Sequence, residues 1–293
     1  MSRKMRSTVA QSLPRRVGVH TSIAGGVQFA AERARELGCG TMQIFSHNPR
    51  QWSAAAIPDD QVVQFRDLRK RYDIAPVFVH TSYLINLAAQ KSDLLERSVA
   101  LLIREMDLAD QIGAEYVVLH TGSASYDEPA NARRRAIGAL RQVSRVKKWG
   151  VRLLLENTAG ERGDISSRIA DIAEMIDAVE SPMIGGICLD SCHAFAAGYD
   201  LADAEQLHGL ADEVERLLGR DSVRLIHLND SKKGLGAGVD RHEHLGQGGI
   251  GLDALKAFIT HPLFCDVPLV LETPKKTEED DPRNLKIVRS LVD

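Results

Sequence analysis

Eight short apolar runs, separated by longer amphipathic segments along nearly the whole chain, constrain the fold most. They are near-continuous rather than alternating in hydrophobicity, which is typical of parallel strands covered on both faces. The predicted strands are residues 16–20, 41–46, 76–80, 116–120, 152–156, 184–190, 223–227 and 268–272.

The segments between these runs have the spacing of amphipathic helices, most clearly over residues 92–112 and 201–219. A glycine lies a few residues before three of the strands and is predicted to end the preceding helix: Gly38, Gly113 and Gly150. Eight strand–helix units in 293 residues predict a (β/α)₈ TIM barrel, which takes about 250 residues. The alternative is an open doubly wound sheet, but Ala24-Gly-Gly after the first strand lacks the GxGxxG spacing of a dinucleotide site.

Composition limits the domain organisation and the compartment. Residues 1–15 are basic and polar and are expected to form a flexible tail, and no linker divides the catalytic domain predicted over 16–293. We expect no membrane segment and no secretion signal, because no apolar run approaches about 20 residues and the tail lacks an apolar core.

Four scattered cysteines without a CxxC pair favour the cytoplasm, and Cys188 and Cys192 are predicted to pack as small apolar residues. A net charge of −3 neither indicates a nucleic-acid binder nor excludes one.

The predicted strands end in an unusual set of side chains. Histidine and acidic residues make up about a sixth of the chain, yet seven of the eight strands end in one. The carboxyl ends of the strands form the active site of a (β/α)₈ barrel. The side chains at these ends are His20, His80, His120, Glu156, Asp190, His227 and Glu272.

Three further candidates follow close behind: His193, and the Asp240-x-His242 pair in a long glycine-rich loop over residues 230–249. Imidazole and carboxylate groups are the usual zinc ligands where thiolates are absent. Without His20, nine such groups remain, too many for one tetrahedral ion, and carboxylates this crowded would repel one another without cations. The sequence therefore predicts a multi-metal cluster. His20 is expected to orient ligands or substrate, and four other histidines are expected to lie outside the ligand set: His47, His208, His244 and His261.

Several segments resemble the signature segments of the endonuclease IV family, in consistent order from about Val17 to Thr273. The most specific is Cys188-Leu-Asp-Ser-Cys-His-Ala-Phe-Ala-Ala-Gly-Tyr-Asp200. The others are His80-Thr-Ser-Tyr-Leu-Ile-Asn86, Glu156-Asn-Thr-Ala-Gly160, His227-Leu-Asn-Asp230 and Asp240-Arg-His242…Leu245-Gly…Gly248. One departure is His120-Thr-Gly-Ser, where the family often has His-Pro-Gly-Ser, which leaves that loop's shape open.

The resemblance implies three Zn²⁺ ions per chain, with Glu156 bridging the first two and with Glu156 and Glu272 as catalytic carboxylates. It also implies that Arg50, Tyr83 and Leu84 contact DNA, inserting as wedges at the lesion. The implied ligands are His80, His120 and Glu156 for the first zinc, Glu156, Asp190, His227 and Glu272 for the second, and His193, Asp240 and His242 for the third.

The activity that the resemblance implies is hydrolysis of the phosphodiester 5′ to abasic sites in duplex DNA. The products would be a 3′-hydroxyl and a 5′-deoxyribose phosphate, and the same monomeric enzyme would trim blocked 3′ ends. One alternative is a metal-dependent sugar isomerase or epimerase on the same barrel, which generally needs fewer ligands. A second is a non-catalytic DNA- or metal-binding protein, against which the complete ligand set argues. The choice of zinc over manganese rests partly on the resemblance.

Overall fold

The computed structural model describes residues 15–292, so all of the predicted tail except Arg15 lies outside the described part. Eight parallel strands form a nearly closed barrel with helices between them, which confirms the predicted (β/α)₈ fold and excludes an open doubly wound sheet. The barrel strands are β1 (Val17–Val19), β2 (Met42–Phe45), β3 (Val77–His80), β4 (Tyr116–Leu119), β5 (Arg152–Glu156), β6 (Ile184–Asp190), β7 (Val223–His227) and β10 (Leu269–Leu271). A separate antiparallel pair consists of β8 (Asp230–Ser231) and β9 (His242–Glu243).

The barrel strands follow one another in chain order from β2 to β7, and β10 lies between β7 and β1. The seam between β1 and β2 is joined by a parallel bridge from His20 to Gln43, and the Thr21 amide donates to the Gln43 carbonyl at 2.7 Å. A Cβ on Gly18 would lie 1.8 Å from the Thr41 carbonyl oxygen. Glycine therefore permits the close approach that closes the barrel.

Helices cover the outside of the barrel, and α3 has the bounds predicted for it. Gly113 ends α3 with a φ of 74°, as a helix-stop glycine should. The prediction for Gly150 was wrong, because α4 already ends at Ser144. The helices are α1 (Gln28–Glu36), α2 (Asp59–Arg71), α3 (Ser92–Ile112), α4 (Pro129–Ser144), α5 (Ile169–Val179), α6 (Ser191–Ala196), α7 (Ala204–Leu218), α8 (Leu252–Thr260) and α9 (Asp280–Val292).

A layer of apolar side chains fills the inside of the barrel, and the predicted ligands form the next layer toward the carboxyl ends of the strands. Every member of the apolar layer is fully buried and lies two positions before a predicted ligand. Because side chains two apart on a strand point to the same face, the predicted ligands also point into the barrel, one layer higher. The layer consists of Phe78, Val118, Leu154, Cys188, Leu225 and Val270.

Over residues 15–292, none of the helices combines the length and apolar character needed to cross a lipid bilayer.

Candidate metal centre

Six of the nine predicted ligands lie at the same mouth of the barrel. Four are the last residues of β3, β5, β6 and β7, and the other two follow β4 and β10 directly. Because the strands are parallel, all of these ends meet at one face. The six are His80, His120, Glu156, Asp190, His227 and Glu272.

The first group contains His80, His120 and Glu156. The Nε2 atoms of His120 and His80 lie 2.9 and 3.2 Å from the same carboxylate oxygen, Glu156 Oε2. Two ligand atoms of a tetrahedral zinc, each about 2.0–2.1 Å from the metal, lie roughly 3.3 Å apart. The spacing of these three groups therefore fits one shared cation.

The second group uses the other oxygen of Glu156. His227 Nδ1 lies 2.9 Å from Glu156 Oε1 and 3.2 Å from Glu272 Oε2. Asp190 Oδ2 lies 3.9 Å from the same nitrogen. The donor atoms of these four residues are all within 4.8 Å of one another. Glu156 thus belongs to both groups, one oxygen in each.

The third group contains the three remaining predicted ligands, His193, Asp240 and His242. His193 Nε2 and His242 Nε2 each lie 3.2 Å from an oxygen of Asp240, and His242 Nε2 lies 3.6 Å from Asp190 Oδ2. Within residues 15–292, both of these imidazole nitrogens are buried without a hydrogen-bond partner. Two unsatisfied lone pairs facing a carboxylate are what a cation at this position would satisfy.

Backbone carbonyls orient three of the imidazoles. Nδ1 of His80 donates to the Thr81 carbonyl at 2.8 Å, Nδ1 of His193 to the Asn157 carbonyl at 2.9 Å, and Nδ1 of His242 to the Glu272 carbonyl at 3.1 Å. A carbonyl accepts only, so each Nδ1 carries the proton and each Nε2 keeps a free lone pair toward the cluster.

Gln43, on β2, is a functional candidate that sequence reasoning missed. Its Oε1 accepts from His227 Nε2 at 2.8 Å, which leaves His227 Nδ1 free toward the second group. Its Nε2 donates to Glu272 Oε1 at 2.6 Å and lies 3.0 Å from His20 Nδ1. The only sequence signal is one polar residue inside an apolar strand. His20 itself lies 3.3 Å from Glu272 Oε1.

The electrostatics of the cluster favour positive charge. Burial by itself would raise the pKa of Glu156, but His120 and His227 hold it well below its usual range. Burial likewise opposes a charged His227, yet Cys188, Glu272 and Glu156 raise its pKa well above the ordinary value. Glu156 therefore stays ionised, and His227 binds a proton that a metal ion would displace.

The two cysteines beside the cluster are fully buried, as predicted for packing residues. Burial raises the pKa of Cys188 to about 12 and that of Cys192 to about 12. Because a thiol binds metal as the thiolate, the imidazole and carboxylate groups are the more available ligands.

The long loop that carries Asp240 and His242 is fixed by one buried carboxylate. Asp230 accepts from the amides of Gly246 at 2.9 Å, Gly248 at 3.0 Å and Ile250 at 2.9 Å. The antiparallel pair β8–β9 then sets His242 opposite Ser231. A glycine-rich composition predicts flexibility, but here the glycines let the backbone of the loop approach the Asp230 carboxylate closely.

The predicted DNA-contacting residues lie on two loops at the same rim. Arg50 is exposed in the loop 46–58 between β2 and α2, and Tyr83 and Leu84 lie in the loop 81–91 between β3 and α3. Tyr83 is 68% exposed, and its ring packs edge-on against Phe45 with centroids 5.3 Å apart. An exposed aromatic side chain beside the cluster is well placed to contact a substrate.

The other histidines lie away from the three groups. His244 lies 3.0 Å from the Asn284 side chain. His208 and His261 approach each other to 3.4 Å at the surface. His47 lies 3.6 Å from the buried carboxylate of Glu105.

Comparison with known proteins gives consistent matches over most of the chain. The family model for the xylose isomerase-like TIM barrel matches residues 31–291. The chain is 41% identical over 265 residues to "Probable endonuclease 4" of Halothermothrix orenii, covering 90% of this chain and 95% of that protein. It is 40% identical to endonuclease IV from Thermus thermophilus, whose crystal structure matches with a TM-score of 0.83 over 94% of this chain and 98% of that chain.

Sugar epimerases share the architecture at much lower identity. A D-tagatose 3-epimerase-like protein matches with a TM-score of 0.70 and 17% identity, over 94% of this chain and 97% of that chain. At this identity the likeness extends to the fold alone.

Proposed function

The chain belongs to the endonuclease 4 family of xylose isomerase-like TIM barrels, and from this premise we propose that it is a DNA-repair endonuclease. It hydrolyses the phosphodiester 5′ to abasic sites in duplex DNA and leaves 3′-hydroxyl and 5′-deoxyribose phosphate ends. It also trims blocked 3′ ends. The observation that carries the proposal is the meeting of nine imidazole and carboxylate groups in three adjoining sets, the first two of which share Glu156.

We assign three zinc ions to these sets. His80, His120 and Glu156 hold the first, and His193, Asp240 and His242 hold the third. Glu156, Asp190, His227 and Glu272 hold the second. The donor spacing, the unsatisfied nitrogens of His193 and His242, and the lowered pKa of Glu156 support this assignment. When bound, zinc ions supply positive charge to a departing oxygen and lower the pKa of a coordinated water toward roughly 7.

The chain's own residues arrange this chemistry. Glu156 holds the first two sets at a fixed separation, since each of its oxygens faces one set. Glu272 is the more exposed carboxylate of the second set, with 18% of its side chain accessible, so it faces the incoming phosphodiester. We therefore assign Glu156 and Glu272 as the catalytic carboxylates, with Gln43 orienting His227 and Glu272 behind them.

The rim loops select the lesion. Tyr83 and Leu84 enter the stack as wedges, and Arg50 enters beside them. A missing base removes most of the cost of unstacking and flipping a nucleotide, so an abasic site admits these side chains more readily than intact duplex.

Incubation with a duplex oligonucleotide that bears one abasic site tests the proposal. We expect a single cut 5′ to the site, with a 3′-hydroxyl that a polymerase extends, and no cut in the matched intact duplex or after chelation of metal. A zinc-loaded protein that leaves the abasic strand whole, or cuts it 3′ to the lesion, contradicts the proposal. Epimerisation of a ketose by the same sample would support the isomerase alternative.

We further propose that residues 16–293 act as one catalytic domain and that the enzyme works as a monomer on chromosomal DNA in the cytoplasm. Sedimentation of the zinc-loaded protein with and without abasic duplex checks the stoichiometry, for which we expect one chain per lesion.

A further inference from the structure

A second fully buried glutamate, Glu105, lies outside the candidate metal centre. It is carried by α3 and has no exposed surface. Its neighbours on the buried face of the helix, Leu101, Leu102, Leu108 and Ala109, are apolar. A buried carboxyl group is costly without hydrogen-bond partners, so its contacts indicate its role.

The contacts of Glu105 reach both loops of the rim. Its two carboxylate oxygens each accept from the backbone amide of Ser82 at 3.1 Å, one residue before Tyr83. Its Oε1 lies 3.6 Å from Nδ1 of His47, three residues before Arg50. One side chain of α3 thus lies beneath the starts of two loops that are separate in sequence.

One hydrogen bond ties the two loops to each other, and two further contacts lie within the individual loops. The Ser82 hydroxyl donates to the Pro49 carbonyl at 2.6 Å and accepts from the Leu84 amide at 3.2 Å. His47 Nε2 lies 3.2 Å from the Gln51 carbonyl. Hydrogen bonds therefore run from Glu105 through Ser82 to the backbone on both sides of Tyr83 and to Pro49 beside Arg50, and His47 lies between Glu105 and the Gln51 carbonyl.

We propose that Glu105 is a positioning residue that holds the loops 46–58 and 81–91 as one unit, so that Arg50, Tyr83 and Leu84 meet the duplex together. The inference rests on the proposed function for its DNA substrate, but the coupling of the loops is a property of the protein alone. Binding is improved when the contacting groups are held in place beforehand, because less ordering remains to be done.

Hydrogen–deuterium exchange on the zinc-loaded protein tests the coupling without DNA. In Glu105→Ala we expect the Ser82 amide to exchange at least about tenfold faster, and residues 47–51 to lose protection with it. Glu96→Ala, at an exposed position of the same helix, is the control and should leave both loops as in the wild type. Faster exchange in one loop only, or across the whole barrel, overturns the proposal.

Kinetics on the abasic duplex provide the second readout. Glu105→Ala should raise KM at least about fivefold and change kcat by less than about threefold, because the metal centre is not touched. Glu105→Gln keeps an oxygen for the Ser82 amide and should restore much of the loss, while Ser82→Ala removes the bond to Pro49 and should raise KM again. A fall in kcat at constant KM, or an Ala variant equal to the wild type, overturns the proposal.

The two readouts separate this inference from the proposed function. If the wild type does not cut abasic duplex, the proposed function fails, and hydrogen exchange alone decides whether Glu105 couples the loops. Should Glu105→Ala not fold, Glu105→Gln and Ser82→Ala carry both measurements.

Discussion

Two glutamates, Glu156 and Glu105, are both fully buried near the same mouth of the barrel, yet their environments differ in charge. Burial opposes ionisation of Glu156, but His120 and His227 outweigh it and hold its pKa well below the usual range. Glu105 has few such neighbours. Burial raises its pKa to about 8, and the Ser82 amide and His80 oppose this only in part.

The difference separates two tasks. The carboxylates of the candidate metal centre lie among imidazoles, in groups that could hold cations. The carboxyl of Glu105 lies among the Ser82 amide, His47 and apolar side chains, and we propose that it holds the two loops together. Under the proposed function, the chemistry and the recognition of the lesion would therefore depend on different buried acids, and we expect substitutions to affect them separately.

The largest effect should come from Glu156→Gln. One neutral oxygen and one NH₂ group replace two ionised oxygens, so both sets that share Glu156 lose a ligand. We expect incision to fall by at least about 1000-fold, on the order of 4 kcal/mol, with less metal bound and the fold retained. Glu174→Gln, exposed on α5, is the matched control. Near-wild-type turnover of the Glu156 variant would exclude its bridging role.

The next effect concerns the pH dependence of stability. Because the pKa of Glu105 is raised from 4.5 to about 8 on folding, the folded state binds more protons within this range. The free energy of unfolding should therefore fall as pH rises from about 4.5 to 8, by up to a few kcal/mol from this residue. Denaturant unfolding of zinc-loaded wild type and Glu105→Gln at pH 5 and pH 9 measures this, and the variant should lose less stability. Equal losses would contradict the assigned pKa.

Gln43→Ala should have an intermediate effect. It removes the acceptor that orients His227 and a donor to Glu272 while leaving all nine ligands in place. Substitutions behind metal ligands typically lower metal affinity or activity by about 10–100-fold. Competition with a chelator measures the affinity, and Gln142→Ala on the surface of α4 serves as the comparison. An unchanged metal affinity would mean that Gln43 only fills space.

Tyr83→Ala should give the smallest effect, about five- to tenfold in the preference for abasic over intact duplex. Removal of a flexible blocked 3′ end should change less, because that substrate needs no wedge. Tyr83→Phe retains the ring and should behave like the wild type. Equal losses on both substrates would argue for a role of Tyr83 in the chemistry instead.

Much of this arrangement could be predicted from the sequence because it follows strand periodicity. The eight apolar runs agree with the barrel strands to within one or two residues, and the side chains at their ends meet because parallel strands end at one face. The grouping of nine donors into three sets is not contained in any pattern of spacing. The family resemblance implies this grouping, which stays a prediction; in the structure the nine donors lie close together, with Asp190 near both His227 and His242.

The roles of single polar residues inside apolar patterns were harder to predict from the sequence. Gln43 interrupts a strand, and Glu105 occupies the buried stripe of α3 between Leu102 and Ala109, where a charge is out of place. Each could have been noticed as a violation of its pattern, but its partners could not have been named. The same holds for Asp230, whose amide contacts depend on the path of a loop.

We have proposed that nine side chains at one barrel mouth hold the cations that cut DNA beside abasic sites. Zinc titration of chelator-treated protein tests it most directly, with bound zinc per chain and cleavage of abasic duplex measured on the same samples. We expect three zinc ions per chain and cleavage that returns as the sites fill. Full cleavage in the presence of chelator, or one or two bound ions and no cleavage, would contradict it.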